Sequence, residues 1–113
     1  MATSDEIIMA WIYLVLAGLF EIGWPVGLKI AQLPASRVPG ILIAIGCMAL
    51  SGYLLWLAQK QIPMGTSYAI WTGIGAAGTF LVGIIFYGDA ASMGRYLGIA
   101  LILAGVLLLK VAH

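Results

Sequence analysis

Residues 7–28 read IIMAWIYLVLAGLFEIGWPVGL, an apolar run broken only by Glu21 and closed by Lys29. A helix of about 20 apolar residues crosses the hydrocarbon of a bilayer, so this stretch predicts a membrane span. Three more runs of that kind follow. One occupies 38–58, between Arg37 and Lys60; one occupies 64–87, opened by Met64-Gly65-Thr66-Ser67 behind Pro63 and closed by Gly88-Asp89; the last occupies 93–109 and stops at Lys110. Because lipid satisfies no backbone hydrogen bonds, all four must be helical. The expected architecture is an all-α membrane protein with four transmembrane helices, forming a single domain over 1–113.

Composition agrees with a lipid environment. Of 113 residues 64% are hydrophobic and 8% charged, too few charges to cover a soluble core. The formal net charge of +1 leaves no basic patch for nucleic acid. The single Cys47 rules out an internal disulfide and reads as a small hydrophobe. Met1 to Met9 carries Asp5 and Glu6 but no Lys or Arg, the wrong sign for a secretory leader, so the first apolar run is expected to be a retained span.

An even number of spans places both termini on one side, with Lys60 and Lys110; Lys29, Arg37 and Arg95 occupy the other. Two cations against three give almost no orienting bias. Insertion either way up, and hence an antiparallel dual-topology dimer, follows as an expectation. One extra charge fixing a single orientation is the alternative.

Eight of the nine charged residues lie in tails, loops or helix ends, where they reach water. Glu21 does not. It lies about 15 Å along a helix from Trp11 and about 12 Å from Lys29, near mid-membrane. An acid there is costly unless neutralised, paired or hydrated, which makes it a functional-site candidate. The plainer reading is a protonated Glu serving as polar glue between helices. Gly18 lies one turn before Glu21, as a small neighbour allowing access, and Trp24 one turn after, as an indole donor. Pro25, four residues on, lacks an N–H and crowds the Glu21 carbonyl, so a kink is expected there.

Ser51 lies about 10 Å deep in the second span, and Trp71 is similarly deep in the third with Tyr68 one turn shallower; all could reach one cavity with Glu21. Bundle packing for Trp71 and interfacial anchoring for Tyr68 are equally open. The run Gly73-Ile74-Gly75-Ala76-Ala77-Gly78 fits a dinucleotide-loop expression but sits inside a membrane helix. Its expected role is a smooth surface for a neighbouring helix, with Gly75 and Gly78 continuing the Tyr68 and Trp71 face. Gly94, Gly98 and Gly105 form a small-residue seam, read as helix packing between subunits. Trp11, Tyr13, Tyr87 and Tyr96 read as interfacial anchors and His113 as a solvated terminal residue. No grouping of residues has metal-ligand spacing, and no Ser or Cys has a basic partner, so neither a metal, a cofactor nor an enzyme is expected.

Two copies would bring two Glu21 side chains together near the midplane, in a site holding either protons or a cation. Alternating exposure of that site would exchange one for the other across the membrane.

The pieces Ala17-Gly18-Leu19-Phe20-Glu21, Lys29 eight residues later, Ile62-Pro63-Met64-Gly65-Thr66, Tyr68-Ala69-Ile70-Trp71 and Gly98 to Val106 together resemble the small multidrug resistance family, from Ala10 to Ala112. The resemblance implies a four-helix, antiparallel dimeric exporter of the bacterial inner membrane. It implies cation efflux coupled to proton entry through Glu21, and a dimerisation seam at Gly98 and Gly105. Trp24, Gly27-Leu28-Lys29 and Trp71-Thr72-Gly73-Ile74-Gly75 are similar to the guanidinium-exporter branch. That similarity implies guanidinium, or a substituted guanidinium, on Glu21, with Trp24, Ser51, Tyr68 and Trp71 as its hydrogen-bonding surround. Pro25 and Gly52 depart from the branch and imply a more open cavity. A broader exporter of quaternary ammonium or aromatic cations is the alternative, and a non-transporting assembly subunit the second.

Overall fold

The computed structural model describes residues 2–112; His113, expected to be solvated, lies outside the described residues. Four helices follow one another: α1 (Ser4–Ile30), α2 (Arg37–Ala58), α3 (Met64–Tyr87) and α4 (Met93–Ala112), with a short 3-10 turn, Pro34–Ser36, before α2. Each is long and apolar enough to cross a membrane. The chain is an all-α membrane protein with four transmembrane helices.

Local chemistry sets the helix ends. α1 begins before the apolar run because the Thr3 hydroxyl caps it, accepting the Glu6 N–H at 3.1 Å. Asp5 and Glu6 in its first turn and Lys29 in its last suit the helix dipole. With 27 residues, α1 is about 40 Å long and reaches beyond the hydrocarbon or tilts within it. Pro25 lies inside α1 without ending it, so the helix continues for five more residues to Ile30. α3 stops at Gly88, whose φ of 68° is left-handed and would strain any side-chain-bearing residue. The Asp89 N–H then closes back on the Gly83 carbonyl at 3.0 Å.

α1 is the central helix, packed on α2 along one side and α3 along another, while α4 leans on α3. The buried positions are mostly Gly, Ala and Ser, which let membrane helices approach where lipid supplies no hydrophobic drive. α1 meets α2 backbone to backbone. A Cβ at Gly27 would lie 2.7 Å from both the Ala44 nitrogen and the Gly40 carbonyl oxygen. Leu14, Ile62, Ile70, Ala10 and Ala58 form the apolar core near the end of the bundle that holds Lys60.

Four cations lie over aromatic rings at the helix ends. Lys29 lies 5.6 Å from the Tyr87 ring and Arg95 5.2 Å from Phe80 at one end; Lys60 lies 4.4 Å from Trp56 and Lys110 4.6 Å from Trp11 at the other. Each ammonium or guanidinium can thus stay at the interface while its stem covers apolar surface.

Candidate functional site

Glu21 lies on the α3-facing side of α1, where Gly75 leaves room for it. A Cβ on Gly75 would come within 2.5 Å of the Glu21 Cγ. The acid borders a cavity of about 270 Å³ lined by Glu21, Pro25, Thr72, Gly75, Ala76 and Thr79. Trp24, one turn further along the same helix, donates its indole N–H to Glu21 Oε1 at 2.8 Å. A hydrogen bond to a carboxylate is stronger than one between neutral groups and holds the acid's orientation. Pro25 supplies no N–H, so the Glu21 carbonyl lacks its usual partner four residues on.

A second polar cluster crosses three helices. The Trp71 indole N–H donates to Ser51 Oγ at 2.8 Å, and the Ser51 hydroxyl donates to the Ala17 carbonyl at 2.7 Å. Ser51 is fully buried. This bridge joins α3, α2 and α1 one turn from Glu21, because Ala17 precedes the acid by four residues. Tyr68 stands outside both hydrogen-bonded clusters. Its ring lies 5.4 Å from that of Trp71, tilted by 53°, and the side chain is 56% exposed.

The remaining expected positions are distributed differently. Gly18 is buried against Ile74 of α3 and is absent from the lining of the Glu21 cavity, so in this structure it serves helix packing. Gly75 and Gly78 receive α1 at Glu21 and Ile22, the smooth surface expected of that glycine run. Gly98 and Gly105 on α4 have nothing within 4 Å of where a Cβ would stand. Gly52 is likewise open.

Sequence reasoning passed over Thr72 and Thr79, two hydroxyls in the wall of the Glu21 cavity. They stand seven residues apart on α3 with Ala76 between them, a polar stripe at helical spacing that was the available signal. The Thr72 hydroxyl donates back to the Tyr68 carbonyl at 2.8 Å, the usual way a threonine is accommodated inside a helix.

The family model described as Small Multidrug Resistance protein matches residues 9–102. The chain is 50% identical over 104 residues to a protein of Yersinia pseudotuberculosis named Guanidinium exporter, covering 92% of this chain and 99% of that one. Proteins of the same name from Salmonella typhimurium strain LT2 and Proteus vulgaris are 47% and 48% identical over 104 residues, covering 92% of this chain and 98% and 99% of theirs.

Proposed function

Since the chain belongs to the small multidrug resistance family, we propose that it exports guanidinium across the bacterial inner membrane in exchange for protons, through the Glu21 carboxylates of an antiparallel homodimer. The observation that carries this reading is the acid itself: a carboxylate near mid-membrane, oriented by Trp24 at 2.8 Å and bordering a cavity. Guanidinium is planar and presents paired N–H donors that match the two oxygens of a carboxylate. The names of the relatives support the same cargo.

The exchange follows from electrostatics. A mid-membrane carboxylate must be neutralised, and either a proton or a cation does so. If the pair cannot hold a full set of both, loading cargo on one face expels protons there, and loading protons on the other face expels cargo. Alternating exposure then lets proton entry drive cation exit. In this reading Trp24 fixes Glu21. Ser51 and Trp71 hold the helix junction beside it, and Tyr68 closes the site from the exposed side.

Purified protein reconstituted in liposomes tests this directly. Guanidinium uptake driven by a proton gradient is expected from the native chain and not from Glu21→Gln. Retained uptake by Glu21→Gln would defeat the exchange mechanism. A broader cation exporter is the second reading, favoured by the exposed Tyr68 ring on Trp71, which offers cation-π contact to quaternary ammonium ions. Uptake of a bulky quaternary ammonium without uptake of guanidinium would select it.

A further inference from the structure

The wall of the Glu21 cavity is chemically one-sided. It carries one acid and the hydroxyls of Thr72 and Thr79, beside Pro25, Gly75 and Ala76, and no side chain with an N–H, a positive charge or an aromatic ring. The Tyr68 and Trp71 rings stand outside it. The Trp24 indole reaches Oε1 of the acid and leaves Oε2 without a partner among the described residues. The two threonines are not equivalent. Thr72 donates back to the Tyr68 carbonyl at 2.8 Å, whereas the Thr79 hydroxyl has no hydrogen-bond partner among the described residues. Glu21 is seated on Gly75, which sets Thr79 one turn, about 6 Å, further along α3 than the carboxyl's seat. A small planar ion with an N–H···O bond of about 2.9 Å on either side spans a gap of that order.

We propose that Thr79 determines cargo specificity: its hydroxyl accepts an N–H from a cation already forked on the Glu21 carboxylate, so the cavity selects ions by the donors they keep after that fork. The proposal rests on the guanidinium reading above and deepens it. Guanidinium carries three amino groups, and a fork on a carboxylate engages two of them. The third then needs an acceptor, because a donor buried without a partner is costly. Thr79 can supply one, since its own proton can turn back on the Gly75 carbonyl four residues earlier, as that of Thr72 does on Tyr68. A quaternary ammonium has no N–H to give, and a proton on Glu21 needs no third acceptor. The hydroxyl thus favours guanidinium over both.

Calorimetry on the full chain in lipid nanodiscs tests the contact. Thr79→Val, which keeps the branched shape and removes the hydroxyl, should weaken guanidinium binding at least about tenfold, the scale of one hydrogen bond to a charged group. Thr79→Ser, which keeps the hydroxyl, should stay within about threefold of the native affinity. The titration of Glu21 without cargo, followed by carboxyl-carbon NMR, should be the same in all three chains, which a general disturbance of the site would not allow. Equal affinity of the native and Thr79→Val chains overturns the assignment, as does a loss shared by Thr79→Ser or a shifted Glu21 titration. On the native chain, tetramethylammonium, with the same charge and no N–H, should compete for the site at least about tenfold less well than guanidinium. Equal competition overturns donor selection even where Thr79→Val fails to fold. A native chain that binds no guanidinium sinks the cargo reading and this contact together, whereas guanidinium binding that survives Thr79→Val sinks this contact alone.

Discussion

Ser51 is the hydroxyl that ties three helices together. It accepts from Trp71 and donates to the Ala17 carbonyl while fully buried. Ser51→Ala leaves the indole N–H and the carbonyl without that partner, and an unsatisfied buried group costs about 1–3 kcal/mol. Thermal unfolding in detergent should show a clear drop, and an unchanged midpoint would mean that the bridge is idle. Trp24→Phe removes only the indole donor from Glu21. Guanidinium binding, followed by calorimetry, should weaken by about tenfold, the scale of one hydrogen bond to a charged group. Glu21 and Trp24 were legible together because a one-turn spacing on one helix is visible in sequence. The Ser51–Trp71 bond was not, since its partners stand 20 residues apart on different helices. Thr79 escaped notice because a threonine in an apolar helix usually satisfies itself on its own backbone.

At the level of the helices, the α1–α2 crossing depends on two glycines. A Cβ at Gly40 would lie 2.5 Å from the Ala31 nitrogen and 2.6 Å from the Gly27 carbonyl oxygen. Backbone atoms cannot rotate aside as a side chain can. Gly40→Ala must therefore separate the helices, at a cost of about 1–3 kcal/mol. Gly46→Ala and Gly52→Ala, with nothing within 4 Å, should leave the melting temperature where it is or raise it slightly. Equal effects at Gly40 and Gly46 would show that the crossing is not as close as described. Spans were readable from apolar length and from the charges and prolines that bound them. Which glycines lie between helices was not readable, because the same residue type occurs on packed and on open faces.

The described chain is a slab whose backbone spans 51 × 35 × 18 Å. α4 contributes no buried residue, and Gly98 and Gly105 face open space. On the proposed dimer reading, Gly98→Leu should thus leave the fold of the single chain and its Glu21 cavity intact while weakening self-association in lipid, measured by cross-linking or subunit photobleaching. Loss of the fold itself would place Gly98 within the chain's own packing. The near-balanced cation tally predicts that C-terminal reporters appear on both faces of the membrane; signal from one face alone would remove dual insertion.

Lipid environment, number of spans and depth of Glu21 were legible in the order of the residues alone, because transfer free energy and the rise per residue act along the chain. Which faces meet was settled only on folding: Trp71 on Ser51, Gly75 on Glu21, and Thr79 in the wall of the Glu21 cavity. The solvent explains the division. In water, hydrophobic periodicity marks the buried side of a helix, but lipid tails are as apolar as a protein core, so packing and hydrogen bonds choose the contacts and leave little trace in the pattern of hydrophobicity.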